Sequence, residues 1–167
     1  MENLYTPDSI RTYSGIYMNV FEPTLDMICI EDIAHSLANQ CRFAGHLPVF
    51  YSVAQHSVKA SVRANKAHKL QALLHDASEA YLLDIPSPIK KRLRDYKEIE
   101  DNLMNLIAKK FGFEYPLHEK VKDIDRYMLQ WEWHSLMLNM KVFPAIPCLH
   151  PDDAKEQFLR MFNELTI

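Results

Sequence analysis

Few glycines, few cysteines and no excess of positive charge mark this sequence of 167 residues. Only three glycines occur, and apolar residues recur at helical spacing over most of the chain, which predicts helices rather than a sheet. The three cysteines lie far apart without a Cys-x-x-Cys pair, so we expect reduced thiols and a cytoplasmic protein rather than a disulfide framework. A formal net charge of −3 disfavours a general nucleic-acid binder.

Long hydrophobic runs are also missing from the sequence. No apolar stretch approaches the roughly 20 residues that a membrane-spanning helix needs. The first residues lack the basic start and apolar run of a signal peptide, so we expect neither secretion nor a membrane anchor. The length fits one domain, 1–167, and 48% hydrophobic and 25% charged residues are ordinary for a soluble protein.

The apolar spacing predicts an all-α bundle with a short extended N-terminal segment. Residues 16–21 favour an extended segment or hairpin, within an N-terminal part (1–30) that precedes a helical core (31–140) and a C-terminal loop and helix (141–167). The predicted helices are 31–44, ended by Gly45; 53–64, with Ser52 as N-cap; 67–83; 97–111, capped by Gly112; 117–140; and one that begins near Pro151.

Several ionisable residues fall on faces that are otherwise apolar. His75 and Asp76 lie in the apolar stretch 70–83, Asp125 has Val121 and Met128 as helical neighbours, and His56 sits among small apolar residues. Charged groups on a buried face need a partner or a cation. A His-Asp pair alone is more often a helix pair without a ligand, but two histidines with several inward carboxylates favour a metal site.

The chemistry of these side chains narrows the choice of ion. Two imidazoles and two carboxylates suit Mn²⁺, Co²⁺, Fe²⁺ or Zn²⁺, with Mg²⁺ less favoured, and the spacing differs from that of a structural zinc site. Glu79 shares a predicted helical face with His75 and Asp76, and Asp84 follows in a loop fixed by two prolines. These residues predict one divalent metal ion and a hydrolase.

The residues resemble a known family, the HD-domain phosphohydrolases. His56, His75-Asp76 and Asp125 match its H…HD…D signature, and the sequences HDASE at 75–79 and DIPSPIK at 84–90 are similar to motifs of the 5′-deoxynucleotidase branch. Arg42-Phe43 and YSVAQHS at 51–57 resemble an upstream segment of that branch. The resemblance covers about 31–140, and the short chain looks most like the compact HD proteins of bacteriophages.

The resemblance implies an HD-domain helical bundle and a role for each matched residue. His56, His75, Asp76 and Asp125 would bind the metal, Glu79 would orient or deprotonate the attacking water, and Asp84 would protonate the leaving 5′-oxygen. The implied substrate contacts are Arg42, Phe43, Ser78, Lys90, Tyr17 and Met18. Phe43 departs from the family pattern, because deoxynucleotidases carry a tryptophan there that crowds the sugar 2′ position.

The resemblance leaves the substrate open. The preferred expectation is a deoxynucleoside triphosphate, dATP, cleaved to deoxynucleoside and triphosphate in the cytoplasm of a phage host. The alternative is a 5′-deoxynucleotidase that acts on monophosphates. Guanosine tetraphosphate or cyclic dinucleotide hydrolysis and a non-enzymatic nucleotide sensor are less favoured. The expected partner is a small deoxynucleotide, without nucleic acid or membrane, and HD nucleotidases are often dimers or larger homo-oligomers.

Overall fold

The computed structural model describes residues 6–138 and 146–167, and these are mostly helical, which confirms the all-α prediction. The α-helices are α1 (Ile30–Asn39), α2 (Val53–Arg63), α3 (Lys69–Leu73), α4 (Glu79–Leu82), α5 (Ser87–Lys90), α6 (Tyr96–Phe111), α7 (Glu119–Glu132) and α8 (Pro151–Thr166). Short 3-10 turns occur at Leu25–Met27, Phe43–Gly45 and Lys66–His68, and a π-helical turn, Trp133–Met137, follows α7.

The N-terminal segment forms a β-hairpin. Strand β1 (Ser9–Arg11) pairs antiparallel with β2 (Tyr17–Asn19), and Ile10 lies opposite Met18. Ser14 in the connecting turn donates two hydrogen bonds to the buried carboxylate of Asp32 on α1, at 2.6 and 2.7 Å. These bonds dock the hairpin against the helical core, and the hairpin alternative of the prediction is confirmed.

Helix α2 is the central element, because it packs against α1, α3, α7 and α8. Its first turn is capped as predicted, since Ser52 Oγ accepts a hydrogen bond of 3.1 Å from the backbone N–H of Gln55. Val53, Ala54 and Val58 contribute to the main hydrophobic core with residues of α1, α6 and α8. His56 thus lies on a helix that is held on several sides.

The predicted first helix, 31–44 with Gly45 as its end, is wrong at its C-terminus. Helix α1 ends at Asn39, and Cys41 then forms an isolated antiparallel bridge with Ser52. Phe43 and Ala44 have φ angles of 56° and 52°, which no right-handed helix contains. The chain therefore leaves the helix to form a tight turn beside the start of α2.

The predicted helix 67–83 is also wrong as a continuous element. Helix α3 ends at Leu73, the chain turns through 74–78, and α4 begins only at Glu79. The turn contains hydrogen bonds between residues three apart, such as Ala77 N–H to the Leu74 carbonyl at 3.1 Å. His75 and Asp76 therefore lie in a turn between two short helices, not within one helix.

The remaining helices follow the prediction more closely. Gly112, with φ of 76°, ends α6 in the left-handed conformation that favours glycine, and α8 begins at Pro151 as expected. The predicted helix 117–140 begins as α7 but passes into the π-helical turn, and its last two residues lie outside the described part of the chain. Within 6–138 and 146–167, every helix is too short or too polar to span a bilayer.

Candidate metal centre

The four predicted metal ligands come from three separate parts of the fold and meet at one point. His56 is on α2, His75 and Asp76 are in the turn after α3, and Asp125 is on α7. The Nε2 atoms of His56 and His75 are 3.1 Å apart, and Asp125 Oδ1 lies 3.2 and 3.6 Å from them. Asp76 Oδ2 lies 3.2 Å from His75 Nε2 and 3.7 Å from His56 Nε2.

The hydrogen bonds of the two imidazoles fix which ring nitrogen carries the proton. His75 Nδ1 is 2.7 Å from the backbone carbonyl of Ala72, which can only accept, so Nδ1 is the protonated nitrogen. His56 Nδ1 is likewise 2.7 Å from the carboxylate of Glu132. Both Nε2 atoms therefore face each other and two carboxylates, an arrangement that is repulsive unless a proton or a metal ion lies between them.

The distances fit a metal ion. Two ligand bonds of about 2.1 Å that meet at about 90° to 110° place their donor atoms about 3.0 to 3.4 Å apart. The ligand atoms of His56, His75 and Asp125 all lie within 4.8 Å of one another, so this group is close enough to bind a metal ion. Asp76 Oδ2, at 3.2 Å from His75 Nε2, adds a fourth donor beside it.

Within the cluster, burial and the neighbouring charges shift the pKa values in opposite directions. Burial alone would lower the pKa of His75, but Asp76 and Asp125 outweigh it and raise the pKa well above its usual value. Burial would raise the pKa of Asp76, but the charge of His75 lowers it to about 2. The carboxylates thus stay ionised and attract positive charge, and protons and a metal ion compete for the same Nε2 atoms.

Glu132 supports the cluster from behind and is fully buried. Its Oε1 accepts hydrogen bonds from His56 Nδ1 at 2.7 Å and from the Tyr51 hydroxyl at 2.9 Å, and its Oε2 lies 3.0 Å from Arg42 Nε. From the sequence, Glu132 was expected to hydrogen-bond a candidate metal ligand, because it lies seven residues after Asp125 on the same face of α7, and it does so with His56. Glu132 holds His56 in the protonation form that a metal requires.

The candidate catalytic residue Glu79 is almost completely buried beside the cluster, with 6% of its surface exposed. Its Oε1 lies 3.3 Å from Lys90 Nζ, which in turn lies 2.7 Å from Glu100 on α6. Glu79 Oε2 is buried and has no hydrogen-bond partner within the described residues. Burial and the charges of Asp76 and Asp84 raise its pKa well above the usual value, against Lys90 and Arg42.

Gln40 connects the two candidate catalytic carboxylates through their backbones. Its Nε2 donates to the Glu79 carbonyl at 2.9 Å and to Ser36 Oγ at 3.0 Å, and its Oε1 accepts from the Asp84 N–H at 3.0 Å. Leu83, just before Asp84, has a φ of 70°. Burial raises the pKa of Asp84, against the charge of Arg42. No sequence pattern had indicated Gln40.

A cleft of about 780 Å³ opens beside the cluster, a volume typical of small-molecule sites. Its lining includes Asp76 and Asp125 of the cluster and the predicted residues Glu79, Asp84, Lys90, Arg42 and Phe43. Trp133 also lines it and is 43% exposed. The sequence alone favours Trp133, on the long predicted helix, as a core or subunit-interface anchor, and its exposure shows that the core alternative is wrong.

Three predicted substrate contacts lie away from this cleft. Ser78 is buried, with 2% of its surface exposed, and does not line the cleft. Tyr17 and Met18 are on strand β2, where Met18 is fully buried in the main core. The part of the chain that the structure describes therefore gives these three residues no position from which to touch a ligand in the cleft.

Comparison with known proteins gives relatives without a stated activity. No family model matches the sequence. The chain is 40% identical over 170 residues to the uncharacterized protein YfdR of Escherichia coli K12, an alignment that covers 94% of this chain and 95% of YfdR. It is 37% identical over 122 residues to an uncharacterized protein of Rhodobacter capsulatus, covering 67% of this chain and 62% of the relative. The chain belongs to the family of YfdR.

Proposed function

We propose that the protein is a metal-dependent phosphohydrolase that cleaves the 5′ phosphate ester of a deoxynucleotide. One observation carries the proposal: two imidazole lone pairs and two carboxylates converge at the wall of a cleft of about 780 Å³. The set of donors favours Mn²⁺, Co²⁺, Fe²⁺ or Zn²⁺ as the ion. The deoxynucleotide is taken from the resemblance to the 5′-deoxynucleotidase branch of the HD-domain phosphohydrolases.

A bound divalent ion would supply Lewis acidity toward a phosphoryl oxygen and a site for water. Glu79 is the proton acceptor for that water in the role that the resemblance implies, and Lys90, 3.3 Å from its Oε1, opposes the burial that raises its pKa. A cation beside Asp76 also offsets one of the negative charges that raise the pKa of Glu79. Glu79 Oε2, buried without a partner in the described residues, is the oxygen free to accept the proton.

Asp84 is suited to the opposite task. Within the described residues it has no cationic side chain within ion-pair distance, and burial raises its pKa despite the charge of Arg42. A carboxyl group with a raised pKa is protonated more often near neutral pH and can donate to the leaving 5′-oxygen. Gln40 bonds the backbones of both Glu79 and Asp84, so the acceptor and the donor keep their relative position.

Arg42 is the candidate phosphate-binding cation. It lines the cleft, and its Nη1 is 3.7 Å from Asp76 Oδ2, next to the cluster. Its Nε faces Glu132, so the side chain is held in place while the other N–H groups remain for phosphate oxygens. This pairing would place positive charge where negative charge develops on the transferred phosphoryl group.

The charges of the cleft favour a monophosphate over the triphosphate that we expected. Among the described residues that line it are the carboxylates of Asp76, Glu79, Asp84 and Asp125, whereas the Lys and Arg side chains are Arg42 and Lys90 alone. Both cations already face carboxylates outside the cluster, Glu132 and Glu100. A triphosphate carries more negative charge than these groups can offset, so a deoxynucleoside monophosphate fits better.

The test is a substrate panel with identification of the product. The protein is loaded with Mn²⁺ or Co²⁺ and given deoxynucleoside mono-, di- and triphosphates, guanosine tetraphosphate and a cyclic dinucleotide. We expect inorganic phosphate from monophosphates; release of triphosphate from dATP would support the second candidate. No turnover of any deoxynucleotide would refute the proposed function.

The variant Asp76→Ala separates an enzyme from a nucleotide sensor. An enzyme should lose metal and turnover together, whereas a sensor should lose nucleotide binding without ever having shown turnover. Asp123→Ala is the matched control, because Asp123 is an exposed carboxylate on α7 that pairs with Arg126 on the surface. It should leave both metal content and turnover unchanged.

A further inference from the structure

The π-helical turn Trp133–Met137 changes the direction of side chains at the end of α7. It is closed by a hydrogen bond of 3.0 Å from the Leu138 N–H to the Trp133 carbonyl, five residues back. Such turns insert one extra residue into a helix and are frequent at functional sites. Here Trp133 and Met137 both line the cleft, while Leu136 is buried against Tyr51.

Helix α7 forms one wall of the cleft from the metal cluster to Trp133. Asp125, Leu129 and Trp133 follow one another at intervals of four residues, and all three line the cleft. Eight residues of helix rise about 12 Å. The indole thus lies on the same wall as a metal ligand, far enough away for a sugar to fit between a phosphate at the cluster and a ring at Trp133.

Phe43 stands beside the indole. The two ring centroids are 6.0 Å apart, with planes inclined by 51°, and Phe43 has a φ of 56° that is unfavourable for any residue with a Cβ. Its neighbour Arg42 contacts Glu132 and Asp76, so the strained turn is anchored to the cluster. The inclination of the rings leaves no space for a base between them, and 43% of Trp133 remains exposed.

We propose that the exposed face of Trp133, supported by Phe43, is the stacking platform for the nucleobase of the substrate. This inference rests on the proposed function and adds the part of the substrate that it leaves unassigned. Every base offers a flat π surface, so the platform accepts any base and favours nucleotides over sugar phosphates. Base stacking on an aromatic side chain is worth about ten- to hundredfold in affinity.

A comparison of two substrates tests the platform. In Trp133→Ala we expect the KM for deoxyadenosine monophosphate to rise about ten- to hundredfold, while kcat/KM for deoxyribose 5-phosphate, which has no base, stays within about twofold. Trp133→Phe should restore most of the loss. An equal loss on both substrates, or no loss on either, would overturn the proposal. The proposal would also be overturned if Trp133→Ala changed the oligomeric mass but not the preference for deoxyadenosine monophosphate over deoxyribose 5-phosphate.

Fluorescence separates failure of the platform from failure of the proposed function. The chain has two tryptophans, and Trp131 lies outside the cleft lining, under the cations of Lys59 and Arg63. Trp131→Phe therefore leaves Trp133 as the sole indole and serves as the control for activity. Deoxyadenosine should quench its fluorescence, and deoxyribose 5-phosphate should not. Quenching without turnover would refute only the proposed function, whereas absence of quenching would refute the platform.

Discussion

Glu132→Gln is the sharpest test of how the cluster is held. The carboxylate of Glu132 faces three N–H or O–H groups, on His56, Tyr51 and Arg42, and accepts or attracts all of them. An amide of the same shape has only one acceptor oxygen. If that oxygen faces His56 and Tyr51, the amide NH₂ lies against the Arg42 guanidinium, and two donors then face each other.

The opposite orientation of the amide disturbs the metal directly. The NH₂ group would then face His56 Nδ1, which lies 2.7 Å from the native carboxylate, and the imidazole could accept it only by moving its proton to Nε2. That proton would occupy the site of the metal bond. Loss of such a supporting partner lowers metal affinity about 10- to 100-fold, or about 1.4 to 2.7 kcal/mol. Loss of the buried charge pair with Glu132 lowers the unfolding free energy by at most about 3 kcal/mol, because Arg42 keeps Asp76 at 3.7 Å.

Two assays measure these effects separately. Competition with a chelator gives the Kd for Mn²⁺, and urea unfolding of the metal-free protein gives the stability. The matched control is Tyr51→Phe, which removes one hydrogen bond to Glu132, at a cost of about 1.5 to 3 kcal/mol, without changing the proton position on His56. Its Mn²⁺ affinity should be unchanged. Glu132→Gln with wild-type Mn²⁺ affinity would refute the reasoning.

Three further predictions concern pH, the hydrogen bonds of Gln40 and the cap of α2. Burial lowers the pKa of His75, but the charges of Asp76 and Asp125 outweigh burial and raise it. The protonated imidazole therefore stabilises the metal-free fold below about pH 6.5, the usual pKa of histidine, and this stabilisation is lost as the pH rises through the raised pKa. A metal replaces the proton, and the Tm gain on adding Mn²⁺ should therefore grow between about pH 6 and about pH 8 in scanning fluorimetry; a flat gain contradicts this. Gln40→Leu should lower kcat on the order of a hundredfold while calorimetry finds the Mn²⁺ affinity kept; loss of both would show a general disruption. Ser52→Ala removes the cap of α2 and should cost about 1 kcal/mol in urea unfolding, with no change expected if the bond to Gln55 is dispensable.

The sequence predicted which residues form the cluster better than it predicted the backbone conformation that holds them. His56, His75, Asp76 and Asp125 could be named because ionisable residues on apolar faces need a counter-charge, and the structure places them together. The helix break at 74–78 was missed because the apolar spacing of 70–83 outweighed the weak helix propensity of His75, Asp76 and Ser78. Residues of these types favour turns and helix caps over helix interiors.

The residues around the cluster were harder to predict from the sequence than the candidate ligands themselves. Gln40 acts through side-chain bonds to the backbones of Glu79 and Asp84, 39 and 44 residues away, and such long-range bonds leave no periodic pattern. Trp133 was expected in the core or in a subunit interface, because helical aromatic residues usually pack inward or against a partner. Its spacing of four residues from Leu129 and eight from Asp125 places it on the cleft wall, but spacing alone does not show which face of a helix lines a cleft.

The distribution of the metal ligands over the chain bears on how long a folded molecule persists. His56 precedes His75 by 19 residues, and Asp125 joins them only when α7 packs against α2. The complete set of donors therefore exists only in the folded chain. A ligand that binds the folded state and not the unfolded state stabilises the fold by mass action. If the proposed function holds, a cell short of that ion would lose the folded protein to proteolysis as well as its activity.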